Sequence, residues 1–452
     1  TMGRKKIKFL FTDLTYLNHN YGAQGIAFPL MKQLNEYFDT EYTFVLPERY
    51  YKDDLSFSKK YNFSIITSTK PLIVLAKCHF YIYLLYNFAR LLKGKRMITK
   101  REQEQYFALV EKVKESDVII DLSGIEFIGN VSLKRRYLNC LGTISIQCLA
   151  EKYNKLYLKH TKSYGPFSDK IYNSLVRRQL NKLPFIFVRG RNNLEEIKKI
   201  HLKVPLYSFP DVSLFLEPES KEWALNYITK IGINPSKTIA GISPSAVIAN
   251  IRTKNNSSSC GFDHIRLCKK IIKFYQSNHQ QILLIPHSVG DGKDIRSCDL
   301  ALSKKLYDEL ENKKNIFMIP DTELTYQQVR AIIGLLDFYV TSRYHSVSSA
   351  LSMAVPVVSL SWHIKYEDIM SLFLDDFLTV NCRTTDVNKA LLLIKKYYYD
   401  REWFNKKEVF KKKRMVIQQI DRSINILADE IRKYIKCKKV RVTYGDIDRK
   451  KI

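Results

Sequence analysis

Residues 340–361 read VTSRYHSVSSALSMAVPVVSLS, and this stretch decides the fold class. An apolar run ends in Ser342-Arg343-Tyr344-His345, a short amphipathic segment follows, and Pro356 restarts a β-branched run. The pattern predicts strand, loop, helix, strand. Arg343 and His345 would then lie just beyond the carboxyl end of a strand, where open parallel sheets gather their ligands.

The same alternation extends in both directions. Toward the N-terminus it runs through KIKFLF (6–11), a helix over 23–37, YTFVLP (42–47), DVIIDLSG (117–124), KLYLKH (155–160), FIFVRG (185–190) and PLYSF (205–209), with helical segments between them. It resumes with TIAGISP (238–244), QILLIPHS (281–288) and NIFMIP (315–320) before reaching the opening stretch. Strands alternating with helices imply parallel sheets covered on both faces. The expected class is α/β, with two Rossmann-like doubly wound domains facing across a cleft. The expected domains are 1–222 and 223–385, joined by the polar connection 217–238, followed by a helical basic tail over 386–452. An apolar stripe through Leu391, Leu392, Ile394, Ile417, Ile420, Ile424 and Leu427 would seat that tail.

A chain of 452 residues with 45% hydrophobic content is ample for two cores. Eight cysteines form no CxxC pair and no His/Cys grouping at metal-ligand spacing, so we expect reduced core thiols, a cytoplasmic protein and no metal. The formal charge of +29, from 74 basic against 45 acidic residues, asks for an anionic partner without choosing among phosphorylated substrate, lipid or nucleic acid. No signal peptide is legible at the start. The aromatic stretch 71–92 followed by the basic run 93–101 fits two readings equally. One is an interfacial helix making peripheral contact with an anionic membrane face; the other is a core helix with an exposed basic turn.

Polar residues at the expected strand ends are the informative set: Arg189, Ser243, His287, Arg343, His345 and Ser346. Cationic and hydroxyl groups converging beside a helix N-terminus suit a small polyanion. A salt-bridged structural arginine beside a capping histidine explains Arg343 and His345 as well. Asn20, Tyr21 and Gly22 in the first βα turn, and Ser123 with Gly124 in a second, could line the other side of such a site. No GxGxxG, Walker, HExxH or GxSxG element occurs, which removes the commonest dinucleotide, ATPase, zinc-protease and α/β-hydrolase readings.

The chain resembles the polysaccharide pyruvyl transferase family. The resemblance rests on NYGAQGIAFPLMKQL (20–34), SYGPF (163–167), VRGRNNLEEI (188–197), FPDVSLFL (209–216) and above all SRYHSVSSALSMAVPVVSLSWHIKYEDIM (342–370). It implies a GT-B-like shape and transfer of the enolpyruvyl group of phosphoenolpyruvate onto two hydroxyls of a sugar, giving a ketal and free phosphate, with no cofactor. It places Arg343 and His345 in the family's SRxH element, and Arg189 and Lys365 at its arginine and lysine positions. Arg189, Arg343, Lys365, Ser243, His287 and Ser346 would hold phosphoenolpyruvate, with His345 as the acid and Arg343 as the clamp. Asn20, Tyr21, Gly22, Ser123 and Gly124 would serve the acceptor, a glycan or lipid-linked sugar, and nucleic acid is not an expected partner. Arg189-Gly190, Val355-Pro356 and the single glycine of DLSGIEF depart from the family's usual pattern. The alternatives are a GT-B glycosyltransferase using a nucleotide sugar and a non-enzymatic nucleic-acid or lipid binder. Arg343→Ala is expected to abolish phosphate release with little change in melting temperature. Tyr344 has no role legible in the sequence.

Overall fold

The computed structural model describes residues 6–78, 98–129, 131–167, 169–250, 263–290, 298–320 and 324–449. The chain divides into two compact units, each with its own sheet. Unit 1 comprises 1–16, 30–211 and 419–452; unit 2 comprises 17–29 and 212–418. Neither unit is a single stretch of chain, a division that the polar connection around 217–238 does not announce.

In unit 1 the strands β1 (Ile7–Thr12), β2 (Thr40–Leu46), β3 (Ser64–Thr67), β4 (Val118–Asp121) and β6 (Leu156–Lys159) form a parallel sheet of order β3-β2-β1-β4-β6. The short β5 (Ile125–Glu126) and β7 (Ser163–Tyr164) pair beyond it, and β8 (Ile186–Arg189) pairs with β9 (Leu206–Phe209). The strand FIFVRG is therefore real, but it lies outside the five-stranded sheet. Helix Pro71–Cys78 buries Ile73, Val74, Leu75 and Ala76 in the unit 1 core, as the core-helix reading requires. The interfacial reading of the rest of that stretch falls on 79–97, outside the described residues.

Unit 2 holds β10 (Ile239–Ser243), β11 (Gln281–Leu284), β12 (Ile316–Met318), β13 (Phe338–Thr341), β14 (Val357–Ser361) and β15 (Thr379–Asn381) in the order β12-β11-β10-β13-β14-β15. All neighbours are parallel. The order reverses between β10 and β13, as in a doubly wound sheet, and the crevice at such a switch point is where ligands bind. Strands β10, β13 and β14 are buried along their whole length, which is why they read as apolar runs and not as alternation. Gly241 is required in β10 because a Cβ there would meet Tyr339 at 2.7 Å and Leu336 at 2.4 Å. The opening stretch folds as expected: β13, helix Tyr344–Ser352, β14. That helix is nearly all Ser, Ala, Val and Leu, and every residue but His345 is buried.

The tail is helical over Val387–Tyr399 and Lys406–Arg449. Val416, Ile420, Ile424, Leu427 and Ile431 are buried, at helical spacing, whereas Leu392 is 67% exposed. Leu392 therefore does not belong to the apolar stripe; the stripe through Val387, Ala390 and Ile394 packs instead. The seven described cysteines are free, but Cys437 is exposed and not a core thiol. Among the described residues, no helix is long and apolar enough to cross a membrane.

Candidate functional site

Unit 2 assembles its polar residues at the β10/β13 switch point. Ser243 ends β10 and accepts the backbone N–H of Ser342 through its carbonyl at 3.2 Å. Arg343 follows β13, and its Nε and Nη2 donate to both oxygens of Asp299 at 2.8 and 2.5 Å. The Asp299 side chain is wholly buried, and it also accepts the backbone N–H groups of Ser288 and Ala246 at 2.9 Å each. The guanidinium is thus aimed by a fork–fork pair, and the Arg343 side chain as a whole stays 21% exposed.

His345 occupies the first turn of the following helix. Its backbone carbonyl accepts the Tyr326 hydroxyl at 2.7 Å, and its ring stands edge-on to Tyr326 and Tyr344. A Cβ at Gly22 would lie 2.6 Å from His345 Nδ1, so the glycine of NYGAQG is what lets this imidazole take its place. Gly22→Ala should displace the ring, lowering turnover about 10–100-fold with a melting temperature near wild type. Steady-state kinetics beside a thermal melt checks this, and unaltered turnover would remove His345 from the reaction.

His287 is buried against Tyr21, ring centroids 5.5 Å apart, with Ser346 Oγ 3.5 Å from its Nδ1. Burial, then the neighbouring His345, Arg343 and Arg330, push its pKa well below the ordinary histidine range, so it is neutral. Ser346 also meets the Tyr339 hydroxyl at 2.5 Å. Lys365 is only 9% exposed, with its Nζ over the rings of Trp362, Tyr344 and Tyr366 at 4.9, 5.4 and 5.6 Å. Here Tyr344 gains its role: its ring carries the Lys365 ammonium.

The sequence reading missed the supporting residues. Arg330, fully buried, donates to the backbone carbonyls of Leu216 and Ser213 and to the Tyr326 hydroxyl, and among the described residues no carboxylate pairs with it. His264 accepts the Ser245 N–H at 3.0 Å, and burial lowers its pKa to about 4. Gln24 Oε1 accepts the Tyr326 N–H at 2.9 Å. Arg330 and His264 lie in no quoted motif, and Gln24, although within NYGAQG, owes its role to Tyr326, a partner far away in sequence.

The five expected acceptor residues separate. Asn20, Tyr21 and Gly22 belong to unit 2 beside His287 and His345, with Asn20 bridging to Ser288. Ser123 and Gly124 belong to unit 1. There Ser123 Oγ donates to Glu126 at 2.7 Å and accepts Lys162 Nζ at 2.7 Å, while Gly124 has open space where a Cβ would be. Arg189 also belongs to unit 1, where it is buried, paired with buried Asp211 at 2.6 Å and bonded to the Thr161 carbonyl at 3.3 Å. Its charge is compensated inside unit 1 by Asp211, and it stands apart in the fold from Ser243, His287, Arg343, Ser346 and Lys365, which belong to unit 2.

The family model "Polysaccharide pyruvyl transferase" matches residues 20–364, well over half of the chain and including Tyr21, Arg343 and His345. The chain belongs to the polysaccharide pyruvyl transferase family. It is thus a transferase of polysaccharide biosynthesis. No curated protein matches it in sequence. Among solved structures, this pyruvyl transferase family member is similar to a putative UDP-N-acetylglucosamine 2-epimerase from Listeria monocytogenes, at 11% identity over 90% of this chain and 91% of that one, with a TM-score of 0.50. It is similar too to the N-terminal domain of Candida albicans trehalose-6-phosphate phosphatase, at 10% identity over 96% and 100% of the two chains, TM-score 0.50. At such identities the likeness is one of fold, and the fold is GT-B-like.

Proposed function

We propose that this pyruvyl transferase family member uses phosphoenolpyruvate as donor, forms a pyruvate ketal on two hydroxyls of a sugar in a cell-surface polysaccharide or lipid-linked precursor, and releases phosphate. The observation that carries the proposal is the Arg343–Asp299 fork set at the switch point beside His345, His287 and Lys365. Arg343 binds the donor's carboxylate or phosphate in fork geometry. Lys365 and the N-terminal amides of helix Tyr344–Ser352 stabilise the phosphate as it leaves. His345 protonates the methylene carbon, which generates an oxocarbenium-like centre at C2. A sugar hydroxyl attacks that centre, and the second displaces phosphate. Neutral His287 adds a buried hydrogen-bonding group without adding repulsion beside two cations.

Incubation with phosphoenolpyruvate and a panel of galactosides, glucosides and mannosaminides, read by mass and by phosphate release, tests the proposal. The expected result is one acceptor carrying a pyruvate ketal, with equimolar phosphate. Turnover of a nucleotide sugar without consumption of phosphoenolpyruvate would replace this reading with the glycosyltransferase one.

A further inference from the structure

Tyr326, the first residue of helix Tyr326–Ile333 in unit 2, stands edge-on to both imidazoles of the site, with centroids 5.7 Å from His287 and 6.4 Å from His345. It is 1% exposed. Its hydroxyl lies among three polar groups: the His345 backbone carbonyl at 2.7 Å, Arg330 Nη2 at 3.0 Å and Ser349 Oγ at 3.0 Å. A phenol has one proton to give and two lone pairs to receive. The guanidinium can only donate and the carbonyl can only accept, so the Tyr326 proton points at His345 while its lone pairs face Arg330 and Ser349. With its bonding complete, the hydroxyl has a single orientation.

Arg330, one helical turn further on, holds this arrangement. Its guanidinium lies over the Tyr326 ring, 4.8 Å from the centroid, and also donates to the backbone carbonyls of Ser213 at 2.7 Å and of Leu216. A buried guanidinium is costly unless its N–H groups are occupied, and the occupied fork fixes its plane. The Tyr326 ring and hydroxyl are thereby tied to the segment 213–216 and, through Ser349, to helix Tyr344–Ser352.

The NYGAQG stretch completes the seat. Gly22 and Gly25 are three residues apart on helix Tyr21–Tyr37, hence on one face of it. A Cβ at Gly22 would lie 2.6 Å from His345 Nδ1, and one at Gly25 would lie 2.4 Å from Tyr326 Cε1. Gln24 Oε1 accepts the Tyr326 N–H at 2.9 Å, and its Nε2 donates to the Leu17 carbonyl at 3.0 Å. The two glycines are what lets one helix face lie flat against the His345–Tyr326 pair.

We propose that Tyr326 is a positioning residue for the reaction. Anchored by Arg330 and Ser349, it acts through its hydrogen bond to the His345 carbonyl, which fixes the first turn of helix Tyr344–Ser352 and so aims the His345 imidazole. The proposal rests on the pyruvyl-transfer reading above, in which His345 delivers the proton. Arg343 is aimed separately, by Asp299. Donor binding and proton delivery therefore have different supports, and removing the Tyr326 hydroxyl should harm the second and spare the first.

Tyr326→Phe removes the hydroxyl and keeps the ring. With phosphoenolpyruvate and the acceptor that receives the ketal, kcat should fall about 10–100-fold while KM for phosphoenolpyruvate changes less than about threefold. Ser349→Ala takes away one of the two donors to the hydroxyl and should lower kcat about two- to threefold, again at constant KM; it decides the matter if Tyr326→Phe does not fold. A second readout needs no substrate: imidazole nitrogen spectra of the full chain labelled with [15N]histidine, the signals of His345 and His264 being identified by their loss in His345→Gln and His264→Gln. In Tyr326→Phe, and to a smaller extent in Ser349→Ala, the His345 signals should move while those of His264, bonded to Ser245, stay in place. Wild-type kcat in the folded variants, a fall in kcat/KM carried by KM alone, or His264 signals moving as far as those of His345 would each overturn the proposal. His345 signals that move as expected in a chain whose wild type releases no phosphate from phosphoenolpyruvate would sink the donor reading and leave Tyr326 as the support of His345. Ketal formation at the wild-type rate in Tyr326→Phe would do the reverse.

Discussion

Replacing Arg343 by alanine should remove detectable phosphate release from phosphoenolpyruvate and also destabilise unit 2 by about 3–5 kcal/mol, a fall in melting temperature on the order of 10 °C. The first effect follows from losing the guanidinium that we propose meets the donor's anionic groups. The second follows from Asp299, whose wholly buried carboxylate keeps the Ser288 and Ala246 N–H groups but loses both guanidinium bonds. The sequence alone leads one to expect little change in melting temperature for Arg343→Ala; the wholly buried Asp299 partner leads us to expect a fall instead. Two further variants separate charge from packing. Arg343→Lys keeps the charge without the fork, and should recover much of the stability and little of the activity. Arg343→Gln combined with Asp299→Asn removes both charges but turns one backbone-bonded Asp299 oxygen into an amide nitrogen that cannot accept, and should recover only part of the lost stability with phosphate release still absent. Full activity in Arg343→Ala would end the clamp assignment.

Lys159→Met should be the most damaging single change in unit 1, costing about 3–5 kcal/mol. Lys159 lies between Asp121 and Glu126 with no solvent to substitute for it, and its removal leaves two buried carboxylates, with Asp13 close by, to a single ammonium, that of Lys162. Burial works against the charge on Lys159, but the Asp121 and Glu126 carboxylates more than compensate and raise its pKa above the ordinary lysine range. Adding Glu126→Gln to Lys159→Met removes one of the stranded charges and should recover part of the loss. Thermal melts combined with limited proteolysis of the unit 1 strands would read this out. A Lys159→Met protein that melts like wild type would mean that water reaches these charges and screens them.

Much of the fold was legible because its strands are buried on both faces. VIID, IAGIS, FYVT and VVSLS stand out as apolar runs bounded by Gly, Pro or polar turns, and the parallel order follows from the helices between them. The helix Tyr51–Tyr61 and the strands β3 and β15 were not legible, being short and set among polar residues. In the site, Arg343, His345, His287 and Ser346 were found by position, as residues that follow strand carboxyl ends. Asp299, Arg330 and His264 were not, since each owes its significance to a partner or a burial that no local pattern encodes.

By itself the sequence determined the α/β class, the strand–helix–strand course of 340–361, the family, and the residue types offered at each strand end. These are local properties, carried by the period of apolar residues and by short motifs. Tertiary structure alone decided how those residues are employed. It gave Arg343 a buried carboxylate, seated Lys365 on Tyr344, set Gly22 against His345, compensated Arg189 within unit 1, and brought Asp121 and Lys159 to one end of a sheet. Charge pairing and burial depend on distance in space, and a charged side chain becomes a ligand clamp or a structural ion pair according to which neighbours the fold brings within a few ångströms.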